Sequence, residues 1–506
     1  MSETGTEPPS SARRFPDPTQ SGNIQYNPTL KELRSLARDD ERTTEYGSPA
    51  YVSEYRSRCA DRTANAVDHD FEERDWALVR TGLDAVSDRE MLCVDRLVGR
   101  HPDATFCCRL YVPIEYARIA LTWAKLFEPS DGREPDFETV QVPDHDETAI
   151  RILPDEGTTV VLGSDYTGEA KKSFLRLFMY RTKQAGGLGL HAGSKRLTVR
   201  DGGQSDDDLR TVGQLFLGLS ATGKSTLTSH GCWLTEPESA TMLQDDVCAL
   251  LPDGSVAGSE GQGLYIKTIG LTASEQPALY EAATAESAVL ENVAVDEDGT
   301  VDFHDDSYTS NGRAVIQRDE LESAADEIDL ETVDQIFFIT RNPLMPPVAK
   351  LEGPQAAVAF MLGESIETSA GDPSRAGESI RVVGTNPFIV GSDGREGNRF
   401  YDLVRDLDVD CYVMNTGYVG AESMDVGVEE SVTILTEIAR GAVEWTHDER
   451  LGMTIPSDVP GIDVEEFYVP DHVSDFEDAI ASLREERRAY LAEFPELREE
   501  IVDAVY

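Results

Sequence analysis

Gly218-Leu219-Ser220-Ala221-Thr222-Gly223-Lys224-Ser225 follows the apolar run Leu215-Phe216-Leu217 and precedes the helix-compatible Thr226-Leu227-Thr228. A strand, a glycine-bearing turn and a helix start are the parts of a Walker A loop. Its backbone N–H groups turn inward on phosphates, the lysine reaches the β and γ positions, and the serine hydroxyl holds Mg²⁺. The stretch predicts an α/β fold with a P-loop domain of mixed β-sheets and helices, and Gly218 through Thr226 as the nucleotide contacts. A chance glycine-rich turn would not bring all eight residues together with both flanks.

Working outward, the chain of 506 residues exceeds a single core and predicts two domains. Residues 1–30, rich in Pro, Ser, Gly and Asn, read as an irregular arm; 31–188 form a substrate-side domain and 189–506 the nucleotide-binding domain. Phe106 to Val112 and Thr158 to Gly163 read as strands, Ile114 to Phe127 as an amphipathic helix, and Lys171 to Arg181 as helix. Gln335 to Thr340 is the clearest strand beyond the loop, and Val473 to Tyr506 has helical periodicity. The polar run 365–380 reads as a mobile surface loop able to close over a site.

Charge narrows the partners. The formal charge is −50, from 95 acidic against 45 basic residues, and the excess is spread along the chain. Such a surface repels itself at ordinary salt, whereas molar salt shortens the Debye length to about 3 Å. The expected setting is a salt-rich cytoplasm. Nucleic acid and anionic membranes, which need basic patches, are disfavoured. The N-terminus lacks a basic region followed by an apolar core, and no long uncharged apolar run occurs. The seven cysteines have no CxxC spacing, so neither a disulfide framework nor a Cys-rich zinc site is expected. Lysines are scarce, which gives Lys171-Lys172 and Lys224 weight. A monomer is the expected form, although interface patches are not legible in one chain.

A P-loop alone does not separate kinase, transporter, GTPase and switch. Met242-Leu243-Gln244-Asp245-Asp246-Val247 adds two carboxylates after an apolar run, suited to a nucleotide-bound Mg²⁺ and a neighbouring metal, though a surface turn in so acidic a chain also supplies carboxylates. Two polar runs, Gly163 to Ser173 and Glu260 to Thr268, carry tyrosine, lysine and glycine suited to a dicarboxylate. His191 follows a predicted strand; spacing alone favours a structural imidazole over a ligand.

Taken together, YTGEAKK at 166–172, LHAGS at 190–194, GLSATGKS at 218–225, LQDD at 243–246, GQGLYIKT at 261–268 and PPVAKL at 346–351 resemble ATP-dependent phosphoenolpyruvate carboxykinase, from about residue 160 to 420. The resemblance implies the two-domain fold of that family, with ATP, Mn²⁺ and Mg²⁺ as cofactors and oxaloacetate as substrate. It implies Lys172, His191 and Asp246 as Mn²⁺ ligands, with Tyr166 and Lys171 beside the substrate. Lys224 and Ser225 would hold phosphates and Mg²⁺, Asp245 would lie nearby, Lys267 would support the phosphate end, and Arg313 would neutralise the transferring phosphoryl group. The family's N-terminal substrate loop appears here as Tyr55-Arg56-Ser57-Arg58-Cys59-Ala60-Asp61-Arg62, making Arg56 the oxaloacetate contact. An arginine expected after Asn415-Thr416-Gly417-Tyr418 is absent. The expected reaction yields phosphoenolpyruvate, ADP and CO₂ in gluconeogenesis. Another P-loop kinase, acting on a small molecule or a protein, and a non-catalytic ATP-binding regulator stay open at this point.

Overall fold

The computed structural model describes residues 15–55, 60–202, 208–219, 222–274, 276–366, 379–420 and 424–506. Arg56, Ser220, Ala221 and most of the 365–380 stretch therefore lie outside the described residues. The chain groups into two compact units, Met1–Tyr180 with Glu260–Glu322, and Arg181–Ser259 with Ser323–Tyr506. Residues beyond the phosphate loop in sequence thus return to the N-terminal unit.

In the first unit a mixed sheet of eight strands runs in the order Ile24–Tyr26, Met91–Val98, Phe106–Pro113, Phe137–Val142, Thr158–Leu162, Ala149–Leu153, Thr63–Asn65, with Glu128–Pro129 paired to Met91–Val98. The first of these strands arises inside the stretch read as an irregular arm, because Ile24, Gln25 and Tyr26 pair in parallel with Met91, Leu92 and Cys93. The helix Glu73–Asp88 lies so close to the sheet that a Cβ at Gly82 would come within 2.3 Å of Val160 Cγ1. The expected helix at 114–127 is shorter, a 3₁₀ turn at Ile114–Tyr116 and an α-helix at Ala117–Ala124. It is not amphipathic: all eight residues are buried, since Arg118 pairs with buried Asp165 and Thr122 Oγ1 donates to the Arg118 carbonyl. A smaller sheet carries Gly263–Lys267, Arg313–Gln317, Val289–Glu291, Pro49–Tyr51 and Arg42–Thr43 in that order.

The second unit centres on eight strands ordered Ser239–Gln244, Ala192–Arg200, Leu209–Leu217, Gln335–Thr340, Asp410–Asn415, Val348–Leu351, Met453–Asp458, Glu444–Asp448. Leu209–Leu217, Gln335–Thr340 and Asp410–Asn415 run parallel, so their carboxyl ends open on one edge, the usual ligand edge of such sheets. Leu215, Ile336, Val413 and the buried helix Gly353–Leu362 share one core; Phe216, Phe337 and Tyr412 stack in another. The C-terminal periodicity becomes the helices Phe476–Leu491 and Glu499–Asp503, with Phe476, Ile480 and Leu483 buried. The described cysteines are buried and free. No helix among the described residues is long and apolar enough to cross a membrane.

Candidate active site

Each unit gathers its own set of polar residues. In the second, the strand Leu209–Leu217 delivers the chain to the phosphate loop and the helix Lys224–Ser229 starts at its far end. Gly223 occupies the turn at φ +96°, a conformation that L side chains rarely adopt. A Cβ at Gly218 would meet Thr222 Oγ1 at 2.7 Å, and Thr416 Oγ1 donates to the Thr222 carbonyl at 2.6 Å. The loop is therefore held from the neighbouring strand end, with Lys224 at the helix start and Ser225 exposed beside it. At the described end of the loop a Cβ on Gly223 would meet only Thr416 atoms at 3.9 and 4.0 Å, and Lys224 brings positive charge to the helix start, a combination suited to a phosphate.

Two carboxylates follow the edge strand Ser239–Gln244. Asp245 Oδ1 is buried without a hydrogen-bond partner, an oxygen left free to face a cation. Asp246 Oδ1 lies 3.0 Å from His191 Nε2, and His191 Nδ1 lies 2.7 Å from the Thr385 carbonyl. A carbonyl only accepts, so Nδ1 carries a proton, and Nε2 is turned toward a carboxylate oxygen. Two acceptors facing each other at that distance require a proton or a cation between them, and a hydrogen-bonded imidazole with a carboxylate is a donor set suited to a divalent metal. Among the described residues no group of three or more His, Cys, Asp and Glu side chains is placed to hold a metal ion, so this unit offers a pair.

The first unit holds a separate set. Tyr166 is buried just before the helix Thr167–Gln184, Lys171 is buried on that helix, and Lys172 beside it is partly exposed. Lys171 Nζ lies 2.9 Å from Glu260 Oε1, with both side chains 1% exposed. The Tyr265 ring lies close to two cations, its centroid 5.4 Å from Lys171 Nζ and 5.5 Å from the Arg313 guanidinium carbon. Its hydroxyl donates to Glu291, which also accepts from the Thr167 N–H at 3.0 Å. Burial pushes the Glu291 carboxyl above the usual range, and burial together with Glu291 holds the Tyr265 phenol well up.

Lys267 and Arg313 are cross-strand partners on antiparallel strands. Like charges facing each other destabilise a sheet pair, an arrangement that an anionic ligand relieves. Arg313 Nη2 donates to Asn311 Oδ1 at 2.8 Å, and Asn311 Nδ2 donates to the Tyr166 hydroxyl at 3.2 Å, linking the arginine to the tyrosine. Asp165 accepts from the Glu54 and Tyr55 N–H groups at 2.8 Å each and from Arg118 at 2.5 Å. It thereby anchors the chain just before Arg56.

The structure thus brings Tyr166, Lys171, Lys267 and Arg313 together in one unit, and Lys224, Ser225 and Thr226 on one helix with the His191–Asp246 pair in the other. Sequence reading missed Glu260 as the partner of Lys171, Tyr265 as the ring close to two cations, Asp165 as an anchor and Thr385 as the acceptor for His191. Glu260 and Tyr265 stood within a polar run already noticed, whereas Thr385 carried no sequence signal.

Known proteins resemble this chain along most of its length. The family described as Phosphoenolpyruvate carboxykinase matches residues 26–465. A relative from Aeropyrum pernix, named Phosphoenolpyruvate carboxykinase (ATP), is 36% identical over 94% of this chain and 95% of its own length. Relatives of the same name from Azorhizobium caulinodans and Mesorhizobium japonicum are 27% and 29% identical, over 79% and 63% of this chain and 76% and 57% of their own lengths.

Proposed function

This chain belongs to the ATP-dependent phosphoenolpyruvate carboxykinase family, and from that membership we propose how its residues divide the work. The reaction converts oxaloacetate and ATP into phosphoenolpyruvate, ADP and CO₂, the carboxy-lyase step of gluconeogenesis. Membership sets aside the other P-loop kinase and the non-catalytic regulator.

We assign the first unit to oxaloacetate and the second to ATP. Arg56, Tyr166 and Lys171 bind and orient the dicarboxylate so that loss of CO₂ leaves an enolate oxygen turned toward the γ-phosphorus. The main-chain cradle at 218–223, Lys224 and Thr226 hold the triphosphate, while Lys267 and Arg313 draw charge from the transferring phosphoryl oxygens. Direct attack of the enolate needs no covalent protein intermediate. Lys172, His191 and Asp246 would hold Mn²⁺, with Ser225 and Asp245 at the Mg²⁺ that accompanies ATP. When bound, these ions supply positive charge to the enolate and phosphoryl oxygens. The partner is a small molecule, and the reading extends to a monomer in a salt-rich cytoplasm, away from nucleic acid and membrane.

The observation that carries the metal assignment is the approach of His191 Nε2 to Asp246 Oδ1 at 3.0 Å, with the other ring nitrogen committed to Thr385. The test follows phosphoenolpyruvate and CO₂ together in molar KCl with oxaloacetate, Mn²⁺ and ATP. Lys172→Met is expected to cut turnover by about a hundredfold or more while circular dichroism stays unchanged. Near-normal turnover in that variant would remove Lys172 from the site.

A further inference from the structure

Arg341 follows the strand Gln335–Thr340 at the carboxyl edge of the parallel strands, one residue beyond a Thr340 carbonyl that accepts from the Thr416 N–H at 2.9 Å. The same Thr416 holds the phosphate loop through its hydroxyl bond to the Thr222 carbonyl at 2.6 Å. Gly417 lets the arginine stem pass: a Cβ there would meet Arg341 Cβ at 3.2 Å and Cγ at 3.3 Å. The loop behind it is fixed, since Asn415 Nδ2 donates to the carbonyls of Asn342, Met345 and Tyr418.

Arg341 has no hydrogen-bond or ion-pair partner among the described residues, and its Nε is buried without an acceptor. In a chain of 95 acidic and 45 basic residues, a cation left without a carboxylate is held for something else. The sequence from Asn415 to Gly427, which leads away from the end of the strand Asp410–Asn415, contains no lysine or arginine.

We propose that Arg341 is a nucleotide-binding residue of this chain, its guanidinium engaging the bound ATP on the side of the phosphate loop that Thr416 holds. The inference rests on the P-loop being the ATP site. A guanidinium serves this position through phosphate oxygens or by stacking on the base, and neither requires the arginine to follow the Asn-Thr-Gly segment. Its donors are already separated from competing carboxylates, so binding breaks no internal ion pair.

The test is calorimetric titration of the full chain in molar KCl, where screening confines charge effects to direct contact. Arg341→Gln is expected to weaken ATP binding about tenfold or more, with Arg341→Lys intermediate, while the KM for oxaloacetate and the unfolding midpoint stay unchanged. Titration with tripolyphosphate distinguishes the two contacts. An equal loss places the guanidinium on phosphate, and a loss confined to ATP places it on the nucleoside. ATP binding within about twofold of the parent would overturn the proposal, as would a loss shared with oxaloacetate and a lowered midpoint, which marks a structural role. Lys224→Met serves as the control: if it abolishes ATP binding while Arg341→Gln does not, only the Arg341 inference fails, and if neither matters the P-loop assignment fails with it.

Discussion

Lys195 is wholly buried on the strand Ala192–Arg200, where Nζ donates to the carbonyls of Leu227 and His230 at 2.6 Å each and lies 3.5 Å from Cys232 Sγ. Those carbonyls sit at the end of the helix that begins with Lys224 and Ser225. Burial holds the Lys195 amine below the usual lysine range, so its three contacts offset a real desolvation cost. Next to it, a Cβ at Gly193 would come within 2.3 Å of Thr228 Oγ1, which shows how closely helix and strand approach. Lys195→Met keeps the stem but leaves two buried carbonyls without donors, at a cost of about 2–4 kcal/mol. The expected outcome is a lowered unfolding midpoint and a KM for ATP raised more than the KM for oxaloacetate. Equal changes in the two constants would show that the lysine stabilises without positioning the phosphate helix.

Across three neighbouring strands of the first unit, Asp95, Arg109 and Glu138 stand in register. Arg109 gives both Nε and Nη2 to Asp95 at 2.8 Å, leaving Glu138 at 4.0 Å from Nη1. Burial then dominates at Glu138 and lifts its carboxyl to about 7. A carboxyl raised in the native state binds its proton more tightly folded than unfolded, so its contribution is fully present below about pH 4.5 and is lost as pH rises through about 7. Glu138→Gln removes that slope, and above neutrality the variant is more stable by up to about 3 kcal/mol. Denaturant titrations at about pH 5 and about pH 8 check this, and parallel behaviour of the two proteins would refute it. Of these strands the one at 106–112 was legible from its apolar run, as was the loop-to-helix turn at Gly218–Ser225, because local period and glycine placement encode them. The helix at 117–124 misled because a segment enclosed on every side has no polar face to register. Nor does any spacing reveal that Glu260 meets Lys171 or that Thr385 turns His191: those meetings are products of topology.

At the scale of the whole molecule, the −50 charge sets the conditions under which everything else operates. Arginines such as Arg109, Arg118 and Arg498 are already engaged with Asp95, Asp165 and Asp402, and 95 acidic residues against 45 basic leave a large excess of carboxylates that pairing does not neutralise. Their mutual repulsion reaches about 10 Å at 0.1 M salt and about 3 Å at 1 M. The unfolding midpoint is therefore expected to climb as KCl rises from about 0.1 M to about 2 M, and carboxykinase turnover with it. Salt also strengthens apolar burial, so a charge-reduced chain separates the two causes. Asp70, Glu485 and Glu493 are exposed, and replacing them as Asp70→Asn, Glu485→Gln and Glu493→Gln removes charge without touching a described ion pair. If repulsion is the cause, this variant reaches a given midpoint at lower KCl than the parent. Superimposable salt curves would assign the dependence to burial instead, and a flat curve in the parent would remove charge repulsion as a determinant of its stability.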